Sequence, residues 1–330
     1  MEKSSESHKR VAIVDCGTNT FTMVIADLKV ASWNEVFHLR CQVFLGKGGF
    51  STGAILPDRF AKGLDALGIL KEASQNYDVD EVRILGTSAL RDANNAEEFM
   101  AKALAKTGWS VEVIGGDKEA HLIQQGVQLT LHPLDESILV MDIGGGSLEF
   151  IILAPSESGD WIKMWAQSFD AGVSRLSEFG KPSDPLTLQG ETRYMAFLDE
   201  ILSPMKKAIE AHKPRHLVGS SGSFDTFLEL AERQHLNGPP LRENEKNTSE
   251  RGHPLIQQIN RTGFEAIHSK LLELDVTERL ALPGMSPARA PLIPLSSMLV
   301  NYVLSDLPLE ARLYKSPYAL REGALSEMIR

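Results

Sequence analysis

A segment that occurs twice constrains this chain more than any other feature. The first copy, VAIVDCGTNTFTMVIA, starts at Val11, and the second, ILVMDIGGGSLEFIIL, starts at Ile138. Asp15 matches Asp142, Gly17 matches Gly144 and Thr20 matches Ser147, each pair 127 positions apart. An apolar run precedes each Asp and a second follows the small residues, which predicts strand, tight turn, strand. Turns of this composition present backbone N–H groups that bind anions, phosphate above all. A weaker repeat supports a duplication: EVRILGTSALRD and PRHLVGSSGSFD each bring an apolar run to a glycine, Gly86 or Gly219, followed by two hydroxyl residues. Similar halves in the same order predict two similar lobes, with an Asp at the mouth of each turn.

The 330 residues are too many for one ordinary core and enough for two. Alternating strand and helix patterns place the chain in the α/β class. A helix is predicted over 57–76, with Pro57 early, and another over ANNAEEFMAKALAKTG, stopped by Gly108. WSVEVIGG reads as a strand, and DKEAHLIQQGVQLTL as a helix with Asp117 as its N-cap. In the second half, strands are expected at 138–153 and 161–169, a long helix at about 187–212, and a helix from near Ser223. The polar stretch from His235 to Leu255 reads as a solvated loop, and YALREGALSEMIR as a closing helix. PLIPLSSMLVNYVL is apolar enough to pair two chains in a homodimer or to fill a core. The expected division is a first lobe over 1–133, with the C-terminal helix of about 310–330 packing back on it, and a second lobe over 134–309.

With a net charge of −10, broad binding to nucleic acid or to an anionic membrane is disfavoured. An anionic substrate would need local donors. The start, MEKSSESHKR, has no apolar stretch of the signal-peptide kind, and no run reaches the roughly 20 residues of a bilayer span. Two cysteines, Cys16 and Cys41, imply no disulfide framework. These features predict a cytoplasmic protein.

Several chemistries are excluded by pattern. In a G-x-G-x-x-G reading from Gly144 the last position is Glu149, and a strand rather than a helix follows. No P-loop, HExxH or CxxC is present, and the nine His are scattered. Asp142 and Glu149 flank the second turn and are hard oxygen ligands suited to Mg²⁺; they read equally as a turn-capping Asp and a strand Glu. Glu119, in the first turn of a helix, is stabilised there by the helix dipole alone. Arg91 can fork onto a phosphate or pair with Asp92 or Glu97 on the surface.

Taken together, AIVDCGTNTFTMVIAD, GTSALRDANNAEEF, VEVIGGDKEAHLIQQGV, LVMDIGGGSLEFII, FDAGVSRLSE and YALREGAL resemble the exopolyphosphatase/guanosine pentaphosphate phosphohydrolase (Ppx/GppA) family. The resemblance implies two ribonuclease-H-like lobes of the actin, Hsp70 and sugar-kinase superfamily, with a cleft between them. It implies Mg²⁺-assisted hydrolysis of a terminal phosphate from polyphosphate or guanosine pentaphosphate. Glu119 falls on the family's catalytic base and Arg91 on its phosphate-facing Arg. Asp15, Gly17, Thr18, Asn19 and Thr20 fall on one phosphate turn, and Gly144, Gly145, Gly146 and Ser147 on the other. Asp142 and Glu149, the candidate Mg²⁺ ligands, fall on the two acidic positions of the family's D-x-G-G-G-S-x-E segment. Three residues depart from the family pattern: Lys118 and His121 beside Glu119, and Ser221 in place of a glycine. The alternatives are an ATP-dependent kinase of the same superfamily, with G-S-S-G-S at 219–223 as the remnant of an adenosine pocket, and a non-catalytic phosphate or alarmone sensor.

Overall fold

Six consecutive buried residues, Ile138 to Ile143, make one strand at the centre of a sheet covered on both faces. Such a run is what a strand enclosed by helices requires. The chain is described by a computed structural model over residues 9–132, 134–237 and 252–329. Most of the predicted polar loop from His235 to Leu255 lies outside the described residues.

The first compact unit comprises Met1–Gly115 with Leu320–Arg330. Its sheet runs β3 (Ser32–Gln42), β2 (Thr20–Lys29), β1 (Arg10–Cys16), β4 (Glu81–Gly86), β5 (Val111–Val113). β1, β2 and β3 form antiparallel hairpins, whereas β4 and β5 continue parallel to β1. This is the ribonuclease-H-like order. α1 (Pro57–Asn76) buries Gly63, Ala66, Leu67 and Leu70, and Pro57 sits at its start, where its missing N–H costs nothing. A short helix, α2 (Ser88–Asp92), follows β4, and α3 (Ala96–Thr107) ends at Gly108 in the left-handed conformation, φ 74°.

The second unit, Gly116–Ala319, repeats the plan. Its sheet runs β8 (Trp161–Phe169), β7 (Leu148–Pro155), β6 (Ile138–Ile143), β9 (His216–Ser220), β11 (Leu313–Lys315), with β10 (Gln257–Ile259) added antiparallel at the far edge. The duplication extends to an irregularity. The β2–β3 register shifts between Ile25 and Ala26, and the β7–β8 register shifts between Ile152 and Leu153. Those sites are again 127 positions apart. Bulges re-aim a strand and are retained as features of a fold.

The structure divides the chain at Gly115/Gly116, earlier than the expected 133/134. The reason is α4 (Gly116–Val127), which packs on β6, β7 and β8 and so belongs with the second unit. That helix begins at Gly116, so Asp117 lies inside its first turn rather than at the N-cap. α5 (Val173–Gly180) follows β8. The helix expected over 187–212 is two, α6 (Leu188–Ile201) and α7 (Ser203–His212). Pro204 lacks the N–H that a continuous helix would use and occupies the first turn of α7 instead. α8 (Gly222–Arg233) lies against β9, β10 and β11, α9 (Arg261–Glu273) packs on α8, and the short α10 (Val276–Leu280) follows. The apolar stretch around 291–304 forms α11 (Ile293–Ser305), which is buried in the core of this unit along nearly its whole length. α12 (Leu320–Met328) packs against β1 in the first unit. Among the described residues, no helix is long and apolar enough to cross a membrane.

Candidate active site

Both turns are closed by the same bond. Gly17 N donates to Thr20 O at 3.1 Å, and Gly144 N donates to Ser147 O at 3.0 Å. A Cβ at Gly17 or Gly144 would meet that carbonyl oxygen at 3.0 or 2.8 Å, so close approach is what calls for glycine. These two amides are therefore taken, and they are not among the donors left for a ligand.

The carbonyls of the turns are taken as well, by the segment that follows the third strand of each sheet. In the first unit, Val43 N and Phe44 N donate to Asn19 O at 2.9 and 2.8 Å, and Gly46 N to Thr18 O at 3.1 Å. In the second, Gly172 N donates to Gly146 O at 3.2 Å, Val173 N to Gly144 O at 3.1 Å, and Ser174 N to Gly145 O at 2.8 Å. Arg175 adds Nε to Gly146 O at 2.9 Å. The contact is tight: a Cβ on Gly172 would lie 2.5 Å from backbone atoms of Gly145 and Gly146. Among the described residues, the amides of Thr18, Gly145 and Gly146 donate to no protein group. With its acceptors engaged, each turn has N–H groups to offer, which is the condition for holding an anion.

Beside the second turn, four polar residues share one line across the sheet. Ser168 on β8 faces Glu149 on β7, Glu149 faces Asp142 on β6, and Asp142 faces Ser220 on β9. The outer serines donate to the inner carboxylates, Ser168 Oγ to Glu149 Oε1 at 2.7 Å and Ser220 Oγ to Asp142 Oδ2 at 2.5 Å. Both carboxylates are buried. The Ser147 hydroxyl stands near enough to Glu149 to favour its charge, yet Oγ is buried and completes no hydrogen bond.

α4 brings the third carboxylate. Gly116 lies directly on Ser168, where a Cβ would come within 2.6 Å of the serine Cβ. Glu119, one turn on, is buried, and its charge acts on Glu149. Burial, then the charges of Glu119 and Asp142, push the Glu149 carboxyl well above the ordinary carboxylate range. The native state thus keeps a proton that the unfolded chain releases. Stability is highest at acid pH on this account and falls as pH rises from the ordinary carboxylate range through the raised value. Glu149→Gln removes the penalty. In urea titrations without metal, wild type and variant should diverge as pH rises, with the Gln variant the more stable at neutral and alkaline pH. Parallel curves across that window would refute the origin assigned here.

The first unit holds the other predicted residues. Asp15 pairs with Thr22 across the hairpin, as Asp142 pairs with Glu149. Cys16 lies beside Gly86 on β4, which sets the segment after Gly86 next to the turn. Arg91 donates from Nη1 to Ile114 O at 2.9 Å, and its Nε is 4.0 Å from Asp92. It is thus held by a backbone carbonyl, with the Asp92 pair at the outer limit of an ion pair. Lys118 and His121 are both partly buried on α4.

The turn at 219–223 departs from an open ligand cradle. Ser221 takes φ 72° and ψ 173°, a region that suits glycine, so the backbone retains a glycine conformation under a side chain. The Arg289 guanidinium fills the bare face of Gly222, with Nη2 1.5 Å from where a Cβ would stand. Sequence reasoning missed Ser168, Ser220 and Gly172 as parts of the site. Ser220 and Gly172 lie inside segments that had been singled out; Ser168 gave no signal.

Residues 24–330 match the model of the Ppx/GppA phosphatase family. The curated protein Exopolyphosphatase 2 of Mycobacterium tuberculosis is 29% identical over 315 residues, covering 90% of this chain and 91% of that protein. A crystal structure of an exopolyphosphatase from Cytophaga hutchinsonii is 31% identical, with a TM-score of 0.87 over 97% of this chain and 98% of that one. The Aquifex aeolicus member of the Ppx/GppA family is 25% identical, with a TM-score of 0.73 over 97% of each chain.

Proposed function

Since the chain belongs to the Ppx/GppA phosphatase family, we propose that it is a phosphoanhydride hydrolase of the exopolyphosphatase type. It releases the terminal phosphate of an inorganic polyphosphate, with guanosine pentaphosphate as the second candidate substrate. The observation that carries this reading is the second turn: Gly145 and Gly146 amides and the Ser147 hydroxyl, all without protein partners, stand beside a buried acid pair.

The amides bind phosphate oxygens and stay fixed because α5 holds their carbonyls. Phosphoryl transfer needs mainly positioning and charge stabilisation, so rigid donors suit it. Glu119 orients a water and accepts its proton. Arg91, held at Ile114 O, gives forked donors to phosphate oxygens on the first unit.

The donor set fits Mg²⁺. Among the described residues, no three His, Cys, Asp or Glu side chains gather as a metal cage. Mg²⁺ needs none, since it keeps several waters and takes one or two carboxylates plus substrate phosphate. Asp142 and Glu149 would hold it; their mutual repulsion and the unbonded Ser147 hydroxyl favour a cation there. When bound, the ion neutralises charge on the phosphate chain.

The test is phosphate release from tripolyphosphate, long polyphosphate, guanosine pentaphosphate and ATP, each with and without Mg²⁺. Release from a polyphosphate without a second acceptor supports hydrolysis. Release only when an acceptor is added would point to a kinase. Binding without release from any of the four would point to a sensor.

A further inference from the structure

The segment after β3 is rich in glycine: Gly46, Lys47, Gly48, Gly49, Phe50, Ser51, Thr52, Gly53. Its start is fastened to the first phosphate turn by the three bonds from Val43, Phe44 and Gly46. Gly46 sits against Thr18, where a Cβ would come within 2.6 Å of the threonine methyl. Phe44 takes a left-handed φ of 54°, which is unusual for an aromatic residue and is held by its bond to Asn19 O. The Lys62 ammonium lies over the Phe44 ring, 5.5 Å from its centroid.

Lys47 follows Gly46 directly, and its side chain is exposed. Among the described residues no carboxylate pairs with it. The net charge is −10, so a polyanion needs local cations, and Lys47 is one that the backbone fastens beside an amide turn. The second unit makes the comparison sharper. There the corresponding segment also carries a cation, Arg175, but its guanidinium is used internally on Gly146 O and Asp170.

We propose that Lys47 binds the phosphate chain of the substrate at the first turn, as a mobile point charge beside the fixed amide of Thr18. The inference rests on the phosphate-binding part of the proposed function and names a residue that sets affinity for oligophosphates. A lysine suits this task, since its compact charge on a flexible stem follows a chain whose phosphates differ in position.

The experiment is equilibrium binding of tripolyphosphate to the full chain, with hydrolysis scored in parallel. Lys47→Gln should weaken binding about tenfold, the loss of one charge-assisted contact, and Lys47→Arg should stay within about twofold of wild type. The salt dependence of binding should be shallower in the Gln variant, because one cation fewer meets the polyanion. An unchanged Kd and salt slope in Lys47→Gln would overturn the inference, as would equal weakening in Lys47→Arg. Phosphate release with a Kd indifferent to Lys47 leaves the hydrolase reading standing alone. Lys47-dependent binding without release does the reverse. No binding by the wild-type chain overturns both.

Discussion

Glu119→Gln should reduce turnover by about 10²–10⁴-fold while leaving oligophosphate binding measurable. The amide keeps the size of the side chain and its place in the first turn of α4, so the helix stays where Gly116 seats it on Ser168. What is lost is the ability to accept a proton. The variant also removes one of the charges that raise Glu149, so the Glu149 carboxyl should ionise more readily. A base and a merely structural acid are separated by the pattern: the base affects kcat with little change in Kd, whereas a structural acid affects stability. Turnover equal to wild type would remove Glu119 from the chemistry.

Arg279→Ala should destabilise the second unit by about 3–5 kcal/mol, from the cavity left by a large buried side chain together with carbonyls that lose their donor; its ion partner Asp184 is exposed and adds little. Arg279 is 1% exposed and bonds in three directions: Nε to Ala290 O at 2.8 Å, Nη1 to Leu274 O at 2.5 Å, and Nη2 to Asp184 Oδ1 at 2.6 Å. It ties the start of α10 to the segment that carries Arg289 to Gly222. Alanine leaves two carbonyls without their donor and opens a cavity of nearly a whole side chain. Urea unfolding should show the loss in the second unit's transition, with the first unit's little changed. A melting curve that overlays wild type would show that water replaces the guanidinium at no cost.

Local features were legible in the sequence, and long-range registers were not. The two hairpins could be read because each is a contiguous strand, turn and strand, with glycine where Gly17 and Gly144 meet a carbonyl. α1 was legible from Pro57 at its start and the polar stop at Asn76. β11 was not: three residues carry no periodicity, and only pairing with β9 makes Leu313–Lys315 a strand. The helix at Gly116–Val127 was visible as a helix, but which sheet it joins depends on contacts with β6, β7 and β8. Ser168 illustrates the same limit. Nothing local distinguishes it from other strand serines, and its role appears only when β8 settles opposite Glu149.

The halves of this chain share a hairpin, a bulge and a way of engaging turn carbonyls, but they differ at the position that faces the turn aspartate. Where the second half places Glu149, the first places Thr22. That difference breaks the chemical symmetry of the repeated halves. One half became the acidic pole and the other remained neutral at that point, so the two can no longer exchange roles. A scaffold that repeats in backbone is thereby given a chemical direction along the chain.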